Sequence, residues 1–308
     1  MKVINRESMY VKVFSVLLLC LAVQGIYGQQ PYKASVLTEK GGFPSGIEGP
    51  AVDQNGVIYA VNYGRKGTIG QVTPSGEESL FIELPKGSVG NGIRFDSRGN
   101  MLIADYTNHN ILKVNMTSKR IEVLAHESKM SQPNDIAIDG KDRLYASDPD
   151  WKEGTGRIWR IDPDGQVFLL ADDLGTTNGI EVSPDEKTLF VNESVQRKVW
   201  AYDLSANGEI SNKRLLIKFS DFGMDGMRCD IKGNLYITRH GKGTVVQLSP
   251  EGIVIEEIEL LGKQPSNIAF GGEDGCTAYV TLQDQGNIEM FRVPYPGREW
   301  KMMQGKTK

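Results

Sequence analysis

Hydrophobic and polar positions along this chain follow a pattern that returns six times. Each copy has a small polar or acidic first residue, an apolar stretch, a turn often of the Asp-x-x-Gly kind and a second apolar stretch. The copies are EGPAVDQNGVIYAVNY from Glu48, NGIRFDSRGNMLIADY from Asn91, NDIAIDGKDRLYASDP from Asn134, NGIEVSPDEKTLFVNE from Asn178, DGMRCDIKGNLYITRH from Asp225 and SNIAFGGEDGCTAYVT from Ser266. They start 41 to 47 residues apart, which is the period of a four-stranded propeller blade. The pattern predicts an all-β, six-bladed β-propeller.

Two further apolar segments complete each blade. The third strand is predicted in segments such as TIGQVT (68–73), and the fourth in segments such as SLFIEL (79–84). The last copy lacks a fourth strand, because the chain after Val293 is not strand-like. We therefore expect residues 32–39, ahead of the first copy, to complete the sixth blade and to remove the exposed sheet edges. Almost no helical periodicity is present along the chain.

The first 28 residues have the order of an export signal. A basic start over residues 2–12 precedes an apolar core over residues 13–23, and small residues follow it. This core is too short to span a bilayer. We therefore expect a signal peptide over residues 1–28, a single propeller domain over residues 29–308, and a secreted or periplasmic protein.

Composition and charge narrow the class of partner. The chain is 39% hydrophobic and has a formal net charge of −4, so no basic excess favours nucleic acid. Cys229 and Cys276 remain after removal of the signal, too few for a disulfide framework, and the sequence leaves open whether they pair. We expect a monomer that binds a small molecule and makes no contact with a membrane once the signal is gone.

The six residues that begin the copies, here called the anchors, are the candidate chemistry. Each should begin the innermost strand of its blade, so together they surround one end of the central tunnel. Asn and Ser at such places commonly satisfy backbone groups, and Asn91 and Ser266 fit that role. Glu48 and Asp225 do not, because two carboxylates in a narrow tunnel repel one another and take up protons. No Lys or Arg occupies an anchor to relieve this repulsion.

A divalent cation would relieve it. The carboxylates of Glu48 and Asp225, together with the amide oxygens of Asn134 and Asn178, form an all-oxygen set that is neutral when a divalent ion is bound. Such a set suits hard ions, so Ca²⁺ is the first expectation, with Mg²⁺ or Mn²⁺ as alternatives. Zn²⁺ is a further alternative that these ligands favour less.

Four motifs around these anchors resemble one family. They are EGP at Glu48, PND at Asn134, TNGIEVSPD at Asn178 and MDGMRCDIKGNLYI at Asp225. In order and spacing they are similar to the gluconolactonase, regucalcin (senescence marker protein) and luciferin-regenerating enzyme family, over nearly the whole mature chain. The resemblance implies that these four residues hold a catalytic divalent metal. It also implies that Asp225 acts as base or nucleophile.

One position departs from the family pattern. Sugar-lactonase members typically carry Arg two residues before the Asn that corresponds to Asn134, and this chain has Gln132 there. A bidentate cationic donor is therefore missing. The departure concerns the usual polyol substrate and leaves the metal ligands unchanged.

Residues about fifteen positions after each anchor should return to the anchor end, because a two-stranded hairpin ends where it began. This rule places Asn62, Tyr63, Asp105, Tyr106 and Glu193 at the anchor end of the propeller. The candidate substrate-binding residues are Gln132, Asp148, Trp151, Arg239 and His240. His240 is either a solvated loop residue or a proton shuttle suited to general acid catalysis. Arg239 or Lys152 could replace the missing cation.

Three functions are compatible with this pattern. The first is metal-dependent hydrolysis of a small lactone, as in a gluconolactonase, with Asp225 activating water or attacking directly. The second keeps the metal site and replaces the lactone with a phosphotriester. The third is a non-catalytic binding propeller, because residues 91–115 also resemble NHL repeats.

Overall fold

The chain forms a closed ring of six sheets. A computed structural model describes residues 31–44 and 46–305. Each sheet has four antiparallel strands, and the innermost strands of neighbouring sheets contact one another around the whole ring. The predicted six-bladed β-propeller is therefore confirmed. The signal peptide predicted for residues 1–28 lies outside the described residues.

The first three blades each use four consecutive strands. Blade 1 contains β2 (Glu48–Val52), β3 (Ile58–Val61), β4 (Thr68–Val72) and β5 (Glu78–Glu83). Blade 2 contains β6 (Gly90–Phe95), β7 (Met101–Asp105), β8 (Asn110–Val114) and β9 (Ile121–His126). Blade 3 contains β10 (Ile136–Ile138), β11 (Leu144–Asp150), β12 (Thr155–Ile161) and β13 (Val167–Leu174).

Blades 4 and 5 repeat this order, and blade 6 borrows its outermost strand. Blade 4 contains β14 (Thr177–Val182), β15 (Thr188–Glu193), β16 (Lys198–Leu204) and β17 (Ile210–Lys218). Blade 5 contains β18 (Met227–Cys229), β19 (Leu235–Arg239), β20 (Thr244–Leu248) and β21 (Val254–Glu259). Blade 6 contains β22 (Pro265–Gly271), β23 (Thr277–Leu282), β24 (Asn287–Arg292) and β1 (Ser35–Val36).

Closure of the ring through the N-terminal segment is confirmed. Ser35 pairs with Met290 and Val36 with Glu289, so β1 covers the free edge of β24. Hydrogen bonds extend the contact beyond the strand, since Leu37 N donates to Ile288 O at 2.9 Å. The ladder itself is shorter than the predicted span of residues 32–39.

We expect deletion of residues 29–40 to destabilise the whole domain, because it strips the backbone partners from β24 and opens the ring. A loss of a few kcal/mol would lower Tm by on the order of 10 °C. Thermal unfolding checks this, and the control is the chain that begins at Gln29. Equal Tm values for both chains would show that β1 does not hold the ring closed.

The inner strands approach so closely that the residue after an anchor often has to be glycine. A Cβ on Gly49 would lie 1.8 Å from the carbonyl oxygen of Asn91, and one on Gly179 would lie 2.5 Å from that of Asp225. Because real Cβ atoms do not come so near to backbone, a side chain at either position would force neighbouring blades apart. The Glu-Gly, Asn-Gly and Asp-Gly pairs therefore narrow the tunnel at the anchors.

A short C-terminal helix closes the other end of the tunnel and was missed by the strand-based prediction. Helix α1 (Arg298–Gly305) borders Val52, Phe95 and Ile138, which lie where inner strands end away from the anchors. Arg298 Nη1 donates to Ile138 O at 2.9 Å. Within residues 31–44 and 46–305, no helix has the length and apolar character needed to cross a membrane.

Buried ion pairs join this helix to the strands. Asp135 lies 3.4 Å from Arg94 Nη1 and 3.0 Å from Arg228 Nη1, and both arginines also pair with Glu299 of α1. All of these except Glu299 are almost fully buried. The tunnel therefore contains a charge network on its helix side, and none of its members lines the cavity at the anchors.

Candidate functional site

A cavity opens at the anchor end of the tunnel. Its volume is about 790 Å³, and every blade contributes to its lining. Five anchors form the floor: Glu48, Asn91, Asn134, Asn178 and Asp225. Side chains from the turns between second and third strands form the rim: Lys66, Tyr106, Trp151, Arg197, His240 and Gln283. The structure therefore brings together the four residues expected to bind metal.

The sixth anchor has a structural role. Ser266 is fully buried and lies outside the lining of this cavity. Its Oγ is 2.8 Å from Ile47 O and 2.8 Å from Thr281 Oγ1, so it joins the first and last blades. Asn91 Oδ1 is buried without a hydrogen-bond partner, so this oxygen satisfies no backbone N–H group.

The surroundings of the two carboxyls on the cavity floor disfavour their ionised forms. Burial raises the pKa of Glu48 to about 7, although Gly49 N donates to its Oε2 at 2.8 Å. Burial, reinforced by the Glu48 carboxyl beside it, raises the pKa of Asp225 well above its ordinary value. The described residues that line this floor include no Lys or Arg. Arg228 of the helix-side network lowers the pKa of Glu48, but by less than burial raises it.

The orientation of the Asn178 amide is fixed by its neighbours. Asn178 Nδ2 donates to Ser194 Oγ at 3.0 Å, and Ser194 Oγ in turn donates to Met224 O. A hydroxyl has one hydrogen, so Ser194 can only accept from the amide and thereby selects its nitrogen end. Asn178 Oδ1 is left buried with no hydrogen-bond partner.

The backbone of Asp225 is fixed equally firmly. Its carbonyl accepts from Asn192 Nδ2 at 2.7 Å and from Gly179 N at 3.0 Å, and its N–H donates to Thr238 O at 3.0 Å. Both peptide groups are therefore held by neighbouring strands. The backbone that carries the Asp225 carboxyl is therefore held rigidly beside the cavity.

These atoms fit a hard divalent cation. Buried polar atoms normally find a partner, yet Asn62 Oδ1, Asn91 Oδ1 and Asn178 Oδ1 have none and all belong to residues that line this cavity. Amide oxygens and carboxylates are the ligands that such a cation prefers. In the part of the chain that the structure describes, no three His, Cys, Asp or Glu side chains cluster as a metal site. A site here must therefore use amide oxygens beside the two carboxylates.

Trp151 and His240 line the rim of the cavity, as the hairpin rule predicts. Tyr106 lines the same rim, and the rings of Tyr106 and Trp151 are here called the aromatic wall. Gln132 lies outside the lining; its backbone N–H donates to Asp148 Oδ1 at 2.6 Å.

Asp148 and Arg239, two of the candidate substrate-binding residues, do not line the cavity. Asp148 is buried, and its Oδ2 accepts from Trp159 Nε1 at 2.9 Å. Arg239 is also buried, and its Nη2 donates to Asp221 Oδ1 at 2.7 Å. Both side chains stabilise loops within their own blades.

Other expected rim residues divide in the same way. Asn62 and Tyr106 line the cavity, whereas Asp105 and Glu193 are buried and accept hydrogen bonds from neighbouring loops. Lys152 is exposed and lies 3.7 Å from Glu153, outside the lining. Cys229 and Cys276 do not pair, since both are free thiols.

The sequence interpretation missed two cationic rim residues, Lys66 and Arg197. They follow their anchors by slightly more than the fifteen positions that the hairpin rule uses. A wider window that included the whole turn after each second strand would have found both.

Comparison with known proteins identifies relatives along most of the chain. The SMP-30/Gluconolactonase/LRE-like region matches residues 46–284. A gluconolactonase of Zymomonas mobilis is 28% identical over 270 residues, covering 76% of this chain and 75% of that protein. A regucalcin of Xenopus laevis is 29% identical over 233 residues, covering 71% and 76%.

Solved structures show the same fold. A calcium-binding protein, regucalcin, from Agrobacterium tumefaciens superposes with a TM-score of 0.74 at 23% identity. The match covers 85% of this chain and 94% of that one. The two chains therefore share the propeller fold.

Proposed function

Because the chain belongs to the SMP-30/gluconolactonase/LRE-like family, we propose that it hydrolyses a small lactone with the help of a divalent cation. Relatives named lactonases support the hydrolase class. The observation that carries the proposal is the floor of the cavity. There, two buried carboxyls meet amide oxygens that have no hydrogen-bond partner.

Glu48, Asn134, Asn178 and Asp225 are the residues that would hold the cation, and Asn62 and Asn91 border the same space. The oxygen-only donor set favours Ca²⁺, with Mg²⁺ or Mn²⁺ as alternatives and Zn²⁺ favoured less. The calcium-binding description of the bacterial regucalcin supports this order. When bound, such an ion supplies Lewis-acid polarisation of a carbonyl group.

Asp225 is the proposed base. In its ionised form it would accept a proton from the water that adds to the lactone carbonyl carbon, or would attack that carbon itself. When water adds, the ring C–O bond breaks and the ring oxygen takes up a proton, which gives the open hydroxy acid. When Asp225 attacks, the same bond breaks and leaves an anhydride between Asp225 and the substrate, which water must then hydrolyse to release the hydroxy acid and the free carboxylate. The backbone contacts of Asp225 restrict its movement, as positioned catalysis requires.

His240 and the aromatic wall have accessory roles in this proposal. His240 lies on the rim and is a candidate to protonate the departing ring oxygen. Tyr106 and Trp151 offer flat faces against which a lactone ring could pack.

Hydrolysis assays with and without a chelator test the proposal. The substrates are an aldonolactone and a phosphotriester, each assayed with the purified protein supplied with Ca²⁺. The proposal expects hydrolysis of the lactone that EDTA abolishes and Ca²⁺ restores. Preferential cleavage of the phosphotriester would instead indicate a phosphotriesterase-like hydrolase. No turnover of either substrate would favour the hypothesis that the chain is a non-catalytic binding propeller.

Ser194→Ala is expected to weaken Ca²⁺ binding roughly ten- to a hundredfold, since the residues that orient a metal ligand typically matter by this amount. Without the hydroxyl, the Asn178 amide is free to turn its nitrogen toward the ion. Calorimetric titration with Ca²⁺ measures the change, and Ser194→Thr should retain most of the affinity. Equal affinity in the parent and Ser194→Ala would contradict the orienting role.

A further inference from the structure

The charges around the rim all have the same sign. Among the described residues that line the cavity, the only carboxylates are Glu48 and Asp225 on the floor. The cationic residues are Lys66 and Arg197 at the rim, and His240 also lines the cavity. A divalent cation on the floor would neutralise the two carboxylates. The rim would then keep a net positive charge of about two from Lys66 and Arg197.

No carboxylate neutralises this rim charge within residues 31–44 and 46–305, where neither Lys66 nor Arg197 makes an ion pair. Neighbouring cations do pair: Arg65 lies 2.6 Å from Glu83, and Lys242 lies 2.7 Å from Glu257. Arg197 Nη1 donates to the backbone oxygen of Ser220 at 2.9 Å. That bond positions the guanidinium without cancelling its charge.

Two acidic residues expected at this end of the propeller, Asp105 and Glu193, do not compensate either. Asp105 accepts hydrogen bonds from Ser88 and from the backbone of Val89, and Glu193 accepts one from Gly175 N. Both side chains are buried within their blades and point away from the lining. The positive rim is therefore a feature of the cavity itself.

Apolar side chains stand between these cations. Trp151 is 40% exposed, Phe222 49% and Val195 64%, and all three line the cavity. Lys66 and Arg197 belong to blades 1 and 4, on opposite sides of the ring. A ligand whose ring packs on the apolar wall could thus place a substituent near either cation. The mouth combines a hydrophobic surface with positive charge.

From this arrangement we infer that the substrate is a lactone that carries a second, negatively charged group away from the ring carbonyl. The inference rests on the proposed lactone hydrolysis and specifies its substrate class. A carboxylate, sulfonate or phosphate shares the required chemistry, since each accepts hydrogen bonds from Lys and Arg. Positive charge at the mouth would also steer such a substrate to the site.

Two lactones that differ only at C6 test the inference. D-glucono-1,4-lactone ends in a hydroxymethyl group and D-glucaro-1,4-lactone ends in a carboxylate. We expect the Ca²⁺-loaded parent to prefer the glucarolactone in kcat/KM, and added salt to reduce that preference because exposed charges are screened. Equal kcat/KM for the two lactones, unaffected by salt, would overturn the inference.

Substitutions at the rim localise the effect. Lys66→Gln and Arg197→Gln should each raise KM for the glucarolactone roughly three- to tenfold, with kcat and the gluconolactone constants little changed. Lys152→Gln is the matched control, because Lys152 is exposed nearby but does not line the cavity. If all three variants behave alike, the preference reflects overall charge and the assigned rim residues are wrong.

Equilibrium binding separates failure of this inference from failure of the proposed function. If the parent hydrolyses neither lactone, the proposed function fails. Calorimetry with D-glucarate and D-gluconate then decides whether the rim binds an extra anion. Tighter binding of D-glucarate that Lys66→Gln weakens would support the rim assignment. Equal affinity for both compounds would overturn it.

Discussion

Asp225→Asn is expected to lower kcat and kcat/KM together by about a hundredfold or more, the typical contribution of a positioned base. The substitution keeps the size of the side chain and one oxygen but removes a negative charge and the proton acceptor. Folding should be preserved, because the change also relieves repulsion from Glu48 when no cation is bound. We therefore expect activity to fall while Tm stays the same or rises.

Asp148→Asn is the matched control for this substitution. Asp148 is also a buried aspartate at the anchor end, but it accepts hydrogen bonds from Trp159 and from two backbone N–H groups. Its replacement should lower Tm, because an amide nitrogen cannot accept those bonds, while kcat changes little in the folded fraction. Loss of stability without loss of turnover in Asp225→Asn would reverse the roles assigned to the two residues.

The second large effect is expected at the helix end of the tunnel. Arg298 and Glu181 are almost fully buried, and Arg298 Nη1 lies 3.7 Å from Glu181 Oε1. Burial, together with the nearby Glu299 charge, raises the pKa of Glu181 to about 7. Arg298→Ala would leave this carboxyl without its neighbour in α1. Breaking a buried pair from one side typically costs about 3–5 kcal/mol.

Thermal unfolding measures this loss, which corresponds to a fall in Tm on the order of 10 °C for a domain of this size. Arg214→Ala is the control, because the Arg214 and Asp203 side chains are about half exposed and lie 2.6 Å apart. An exposed pair contributes about 0–1 kcal/mol. If both variants unfold at the parent temperature, α1 does not stabilise the tunnel through its buried charges.

The fold was predictable because the pattern of hydrophobic residues repeats once in every blade. Six copies at blade spacing left no second architecture, and the missing strand of the last copy pointed to residues 32–39. Helix α1 gave no comparable signal, since it is eight residues long and buries only Arg298. Its position depends on ion pairs with Arg94 and Arg228, whose meeting across the tunnel no local pattern reveals.

The floor of the site was predictable for the same reason, whereas the rim was predictable only in part. The hairpin rule gives the end of the propeller at which a residue lies but not the direction of its side chain. Asp105 and Arg239 end their strands and point into their blades, whereas the next residues, Tyr106 and His240, line the cavity. A shift of one position changes the face of a strand, so the rule selected both kinds of residue.

Metal binding by the purified parent protein tests the central claim most directly. The protein is freed of metal with a chelator, dialysed and titrated calorimetrically with Ca²⁺, and the titration is repeated with Asp225→Asn. The structure predicts one site per chain in the parent and much weaker binding in the variant, which loses one of two ligand charges. If the parent binds no Ca²⁺, Mg²⁺ or Mn²⁺ and a chelator leaves its activity unchanged, the anchors do not form a metal centre.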